Sequence, residues 1–348
     1  MPTTLVVKIA CRDAERGRRA LADAGVLRKD AIPQRTPEFV FFPVTKKIPL
    51  DVAHSFSRKR LANRVSAQPF KTTLAEFLSK RELDAAVTSF DLVGGIAVIQ
   101  VPARLEKKKK RIAQALLRAN NRIETVLRKT GGRTGAFRVQ RVEWLAGAKA
   151  FSATHKENGC VFRVDLRRAY YSPRLSTERQ RIASLVKPNE RVLVPFAGVG
   201  PFAIPIAKRN NAVEVVAIEL NPAAAKLLRE NVVLNRVSDR VRVVEGDALK
   251  IMGSREFASW ADRIVMPLPH SAKSFLPSAL HALRRGGVIH FYRIVEKRSG
   301  AHGGERELER EAREACAAAG RRFVKLGWRR VIKYSPALAE FVLDFKAF

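Results

Sequence analysis

The sequence predicts an α/β chain whose C-terminal half is a doubly wound, Rossmann-like domain, preceded by two smaller α+β units. Three stretches predict it. In LVPFAGVGPFAIP (193–205) an apolar, strand-like run enters a tight turn built on Gly198 and Gly200 and leaves as an apolar, helix-compatible run. VEVVAIELNP (213–222) is a second strand, ending in Glu219 about twenty residues past the turn. VRVVEGDA (241–248) is a third, ending in Asp247. Glycines let the backbone approach a ligand, a helix start offers free N–H groups, and an acid at that spacing can hold ribose hydroxyls. This is a nucleotide-cofactor layout.

The first unit spans 1–53. TLVVKIA (4–10) reads as a strand, and Ala14–Ala24 as a helix with Ala14, Leu21 and Ala24 on one face, weakened by Gly17. EFVFFPV (38–44) is a second strand, and the basic stretch His54–Arg64 is expected to be a linker. The second unit spans 68–167. TTLAEFLSKREL (72–83) is helix-like, and SFDLVGGIAVIQV (89–101) reads as two short strands broken at Gly94–Gly95. Between Arg104 and Lys129 there are ten Lys/Arg and two Glu, with Ile112, Leu116, Ile123 and Leu127 at helical spacing. That predicts one amphipathic helix with a basic face. FRVQRVEWL (137–145) and VFRVDLR (161–167) are strand candidates that close the unit. The third unit, 175–348, holds the cofactor layout. ADRIVMPLPH (261–270) is its fourth strand with a proline-rich exit, and GGVIHFYRIV (286–295) and the tail RRVIKYSP…EFVLDFKAF supply late strands ending in an antiparallel-looking pair. There are no internal repeats.

The chain has 348 residues, with 66 Lys+Arg against 33 Asp+Glu, a formal net charge of +33. An excess this large argues for a polyanionic partner, because each phosphate neutralised also releases a counterion. Cys11, Cys160 and Cys316 lie far apart with no CxxC and no His cluster, so neither a metal site nor a disulfide framework is expected. The N-terminus lacks the apolar core of an export signal, and no run reaches the roughly 18 apolar residues of a membrane span. These features predict a soluble, cytoplasmic protein.

The turn alone does not choose a cofactor, since Glu219 would serve a nicotinamide enzyme equally well. Two features favour S-adenosylmethionine. Asn221-Pro222 opens the helix after the acidic strand end, and Asp247 stands where an acid or its backbone can meet an adenine amino group. The prolines of the 261–270 exit read either as a rigid turn or as a loop against a target base.

Five motifs then resemble the archaeal and eukaryotic tRNA (guanine-37-N1)-methyltransferase family: HKENG (155–159), YYSPRLSTER (170–179), FAGVGPF (196–202), DRIVMPLP (262–269) and GGVIHFY (286–292). The resemblance implies a class I methyltransferase domain preceded by a small tRNA-elbow-reading domain and an RNA-binding domain, acting on tRNA with S-adenosylmethionine; a monomer is expected. By matching motif, Glu178 resembles the family's general base, Arg138 the arginine that stabilises charge on O6, and Tyr170 an aromatic beside the active site. Arg174, Phe196, Gly198, Gly200, Glu219, Asn221, Asp247, Pro267 and Pro269 fall on cofactor-binding or adjoining positions. Two positions depart from the pattern: Val194 stands where the family often has an acid, and Pro267 where it often has Asn. Two other readings stay open. One is a related transferase acting on a wybutosine-type tricyclic guanosine, and the other is a tRNA-binding protein that has lost catalysis.

Overall fold

The computed structural model describes residues 3–28, 31, 33–61, 69–134, 137, 139–268, 272–296, 303–334 and 338–348. They fall into two compact units, Met1–Pro69 and Phe70–Phe348.

The first unit comprises β1 (Thr4–Ala10), α1 (Ala14–Asp23), β2 (Gln34–Arg35), β3 (Phe39–Pro43) and β4 (His54–Lys59). Its antiparallel sheet has the order β2-β3-β1-β4. Alternation along β1 sends Val7 and Ile9 into a core with Leu21, Val40 and Phe42. A Cβ on Gly17 would lie 2.3 Å from the Ile9 Cδ1 atom, so the glycine that weakens the helix is what lets α1 close on the sheet. The expected linker is a strand over His54–Lys59, paired with β1 through Leu5↔Arg58 and Val7↔Phe56. Its alternation is carried by partly buried His54 and Phe56 between polar neighbours, which the basic composition disguises. Residues 62–64 of that linker lie outside the described residues.

The second unit opens with α2 (Phe70–Ala75), α3 (Lys80–Ala85), β5 (Asp91–Val93), β6 (Ile96–Ile99), α4 (Lys109–Ala119), β7 (Thr125–Thr134) and β8 (Val139–Gly147). The single helix expected over 72–83 is two. Ser79 adopts an extended conformation and caps α3 in a reciprocal capping box with Glu82, which stops α2 short. The helix expected over 104–129 also ends early. Asn120 is extended, and the β-favouring run Thr125-Val126-Leu127 pairs with β6, so Leu127 belongs to the sheet β5-β6-β7-β8.

A hairpin of β9 (Ser152–Glu157) and β10 (Cys160–Asp165) turns on Asn158 and Gly159, both at positive φ (49° and 76°), as a two-residue type I′ turn requires. Beyond it come α5 (Ser176–Leu185), β11 (Arg191–Pro195), α6 (Ala203–Arg209), β12 (Glu214–Glu219), α7 (Pro222–Leu234), β13 (Val241–Glu245) and α8 (Ala248–Met252). β14 (Ala261–Met266), α9 (Leu276–Ala282), β15 (Leu283–Glu296), α10 (Gly303–Ala318), β16 (Phe323–Lys333) and β17 (Leu338–Ala347) complete the chain.

The large sheet has the order β13-β12-β11-β14-β15-β17-β16, parallel except for β17, which runs antiparallel to both neighbours. Strand order reverses between β11 and β14, so the crevice at their carboxyl ends is where a ligand is expected. Both faces are covered. Val192 and Val194 pack with Phe202, Ile204 and Leu228 on one side, while Leu193 packs with Met252, Ile264, Leu280 and Phe291 on the other. α10, which the sequence reading did not anticipate, adds Leu308, Ala312 and Cys316 to the second core.

Candidate active site

The glycine turn follows β11 at the strand reversal. Phe196, Gly198 and Gly200 take φ of 62°, 56° and 93°, three left-handed residues in five. The two glycines answer different needs. A Cβ on Gly200 would lie 2.6 Å from both Ile204 Cδ1 and Leu228 Cδ1, so that position lets α6 and α7 pack onto the turn. A Cβ on Gly198 would meet only the Tyr170 carbonyl at 3.8 Å, which leaves backbone facing open space, the condition for close approach of a ligand. The Phe196 ring packs edge-on against Phe275 at 4.7 Å. Val194 is fully buried in β11, so its departure from the acid fills the core rather than opening into the crevice.

Glu219 ends β12 and fastens the turn. One carboxylate oxygen accepts the Gly198 N–H at 2.7 Å, and the other accepts the Asn221 N–H at 2.8 Å. The Leu220 N–H bonds to it as well, and a carboxylate has about four acceptor positions, so one remains for a hydroxyl group. Burial raises its pKa above the ordinary 4.5, against the lowering effect of those backbone N–H groups. Asn221 is committed within the protein. Its Oδ1 caps α7 by accepting from Ala223, and its amide donates to Arg168 O at 2.6 Å. Asp247 caps α8 through Leu249 N–H at 2.8 Å and keeps its second oxygen uncommitted to that cap. After β14, Pro267 sits in a turn closed by the Leu268 N–H donating to Met266 O at 2.9 Å. Pro269 and Arg138 lie outside the described residues.

Glu178 is in the first turn of α5 and is 5% exposed. Its Oε1 accepts from Arg181 Nη2 at 2.6 Å and from the Tyr292 hydroxyl at 2.7 Å, while Oε2 accepts from Arg181 Nε at 2.9 Å. Three of the four acceptor positions are filled, and the fourth, on Oε2, remains. Arg181 also grips Asp344 at 2.6 Å, and Asp344 accepts from His290 at 2.6 Å. Burial works against ionisation of Asp344, but His290 and Arg181 outweigh it and bring its pKa down to about 2. Tyr292 follows the last residue pair of the β14–β15 ladder, Met266↔Phe291, and so stands level with Pro267. That puts Glu178 at the carboxyl edge of the sheet.

Directly behind Glu178, Arg179 is buried and paired with Glu157 at 2.8 Å; Tyr171 donates to the same carboxylate at 2.9 Å, and Arg179 donates to Ser172 O at 2.7 Å. His155 accepts the Gly94 N–H at 3.1 Å, which ties the β5–β6 turn to β9. The HKENG motif thus joins the small sheet to the helix carrying Glu178.

A cavity of about 390 Å³ adjoins this edge, lined by Asp91, Lys129, Gln140, Tyr170, Arg174 and Tyr334 among others. Tyr170 links it to the glycine turn. Arg174, expected at the cofactor, pairs with Asp91 at 2.5 Å, and Asp91 also holds Lys129 at 2.8 Å. The basic run is only partly available to a partner: Lys108 pairs with Glu82, and Lys109 with Glu106 and Glu143, whereas Lys107 and Lys110 are exposed. Sequence reasoning missed Arg181, Tyr292 and Asp344. Tyr292 lay inside a quoted motif, but only the sheet register shows what it faces. Among the described residues no His/Cys/Asp/Glu cluster could hold a metal, and no helix is long and apolar enough to cross a membrane.

Residues 153–318 match the TRM5/TYW2 methyltransferase domain, and residues 70–150 match the TYW2 N-terminal domain. The chain is similar to the tRNA (guanine(37)-N(1))-methyltransferase Trm5b of Pyrococcus abyssi, with 34% identity over 99% of this chain and 99% of the relative. It is also similar to the tRNA(Phe) (4-demethylwyosine(37)-C(7)) aminocarboxypropyltransferase of Pyrococcus horikoshii, with 31% identity over 81% of this chain and 98% of the relative. Among solved structures, the complex of aTrm5 and tRNALeu aligns at a TM-score of 0.69 and 29% identity, covering 98% of this chain and 99% of that one.

Proposed function

The chain belongs to the TRM5/TYW2 methyltransferase family, and we propose that it methylates N1 of the guanosine at position 37 of tRNA, using S-adenosylmethionine, as a cytoplasmic monomer. The observation that carries the reading is a buried carboxylate, Glu178, with one free acceptor position at the carboxyl edge of a cofactor-type sheet. Guanine N1–H is too weak an acid to react unaided near neutrality, and a fixed carboxylate can take its proton. When bound, the cofactor supplies an electrophilic methyl group. The residues present fit it. Gly198 leaves backbone open to close approach, Glu219 keeps an acceptor position for a ribose hydroxyl, and Asp247 follows β13 where an adenine amino group can be met. In this reading Tyr170 borders the base, Arg138 meets O6, and Arg174, Phe196, Asn221, Pro267 and Pro269 shape the cofactor side. The first 53 residues read the tRNA elbow, 68–167 bind RNA, and 175–348 hold the chemistry. Unmodified tRNA transcripts with guanosine or adenosine at position 37, incubated with labelled cofactor, test it: 1-methylguanosine is expected, and equal labelling of both transcripts would refute it.

The match of residues 70–150 to the TYW2 N-terminal domain favours a second reading, transfer to a wybutosine-type tricyclic guanosine. The mass of the modified nucleoside separates the two, as does the group added, methyl or aminocarboxypropyl. A chain that has lost catalysis would bind tRNA and label nothing.

Two further outcomes are expected. A ribose hydroxyl donates to ionised Glu219, whose raised pKa means that it protonates earlier on acidification than an ordinary carboxylate at 4.5. Cofactor affinity, measured by calorimetry, therefore falls as the pH drops through that raised value, and Glu219→Gln abolishes the dependence. For the basic surface, Lys107→Ala/Lys110→Ala is expected to reduce the slope of log affinity for tRNA against log salt by roughly 1–2, one contact each. Lys108→Ala/Lys109→Ala leaves the slope nearly unchanged, because those lysines already face carboxylates.

A further inference from the structure

We propose that Arg329, on β16, is a further catalytic residue whose guanidinium donates to O6 of the target guanine while Glu178 takes the N1 proton. This rests on the N1-methylation reading above. β17 pairs with both β15 and β16, and in one row of the sheet Val342 stands opposite Tyr292 on one side and Arg329 on the other. Residues in one such row point to the same face, so Tyr292 and Arg329 flank Val342 about 9–10 Å apart, two strand spacings. α5 covers that face and lowers Glu178 between them. The Tyr292 hydroxyl is 2.7 Å from Oε1, and Arg329 Nη1 is 3.8 Å from Oε2, the oxygen with the free acceptor position.

The 3.8 Å separation is the informative quantity. Arg181 closes on the same carboxylate at 2.6 and 2.9 Å, whereas Arg329 stops beyond hydrogen-bond distance with its side chain 51% exposed. An acceptor and a donor held side by side, unclosed, match an edge that carries a donor next to an acceptor. Guanine presents that edge as N1–H beside O6. N1–H meets Oε2, and O6 accepts from Arg329. The N1–H bond breaks with its proton passing to Glu178, and the electron pair left on N1 forms the bond to the methyl carbon. The carbon–sulfur bond of the donor breaks, and its pair stays on sulfur. Negative charge on the ring delocalises onto O6, where the guanidinium meets it. O6 has two lone pairs, so Arg138 and Arg329 can serve it together. Adenine would set its amino group against the guanidinium, donor against donor, so the same residue discriminates against it.

Single-turnover methylation of tRNA transcripts bearing guanosine or 6-thioguanosine at position 37 tests the assignment. Arg329→Ala is expected to lower the rate constant about 10²-fold, with tRNA affinity and salt slope unchanged and with partial recovery at high pH. Sulfur is a weak acceptor, so the thio substitution slows the wild type but adds little to the Arg329→Ala defect. Arg329→Lys restores part of the rate. A variant with wild-type rate overturns the proposal, and so does one that loses tRNA affinity and salt slope while keeping its rate, which makes Arg329 a phosphate contact. A wild-type enzyme that leaves N1 unmethylated overturns the parent reading as well, and is recognised before any variant is made.

Discussion

Glu178→Gln is expected to bind tRNA and cofactor as the wild type does while its single-turnover rate falls by roughly 10²–10⁴-fold, the span of general acid–base catalysis. The geometry explains why so conservative a change is severe. Glu178 uses both oxygens as acceptors, toward Arg181 and Tyr292, and offers guanine a fourth acceptor position. An amide has one oxygen and one NH₂ group. Placed toward the base, the NH₂ opposes N1–H, and placed toward Arg181 it opposes a guanidinium. No orientation preserves both sets of contacts, and neither accepts a proton. Raising the pH recovers part of the rate, because guanine N1 then ionises without help. Single-turnover rates across a pH series decide the matter, and a Glu178→Gln enzyme at wild-type rate would reduce the residue to a helix-start carboxylate favoured by the dipole.

Glu157→Ala should lower stability by about 3–5 kcal/mol, since it strands the buried Arg179 guanidinium without its carboxylate. For a unit of a few hundred residues this lowers the melting temperature by roughly 6–20 °C, at about 2–4 °C per kcal/mol. Replacing both residues with Met recovers much of the loss, because no charge is then left unpaired. Melting curves of Glu157→Met, Arg179→Met and the double variant test this, and equal losses in all three would refute it. The pH dependence has a definite sign. Burial opposes ionisation of Glu157, but His155, Arg179 and Tyr171 outweigh it and hold its pKa below 4.5. Its contribution is present above that ordinary value and disappears as pH falls through the lowered one.

The cofactor half was legible because its signals are local. A glycine turn after an apolar strand and an acid at the end of the next strand each depend on a few consecutive residues, and the sheet places Gly198 and Glu219 in direct contact. Elsewhere helical spacing misled. Ile112 and Leu116 lie in α4, whereas Leu127, at compatible spacing, is in a strand, because a short apolar run fits both periods and the pairing partner decides. The Ser79–Glu82 capping box is as local a signal as the glycine turn, and it marks the break between α2 and α3. The surroundings of Glu178 were not readable, since Tyr292 is 114 positions away in sequence and Asp344 touches Arg181 across 163. Contacts of that range are set by sheet order, which no single segment encodes.

One arrangement on the far side of the hairpin is explained by neither periodicity nor motif. Asn231 on α7 and Asn235 at its C-terminal cap, both buried, each donate to and accept from one residue of β10, Arg163 and Val161 respectively. Four residues of helix rise about 6.0 Å and two of strand about 6.7 Å, so two amides one turn apart can imitate a neighbouring strand. During synthesis that imitation arrives late. Val161 leaves the ribosome 74 residues before Asn235, and Arg163 leaves 68 before Asn231. At about 5–20 residues per second the open edge of β10 waits roughly 3–15 s for its closure. Through that interval the outer edge of β10 is unpaired while the hairpin already rests on the β5–β6 turn through His155, and Lys156 and Arg163 are its charged guards against pairing with another chain.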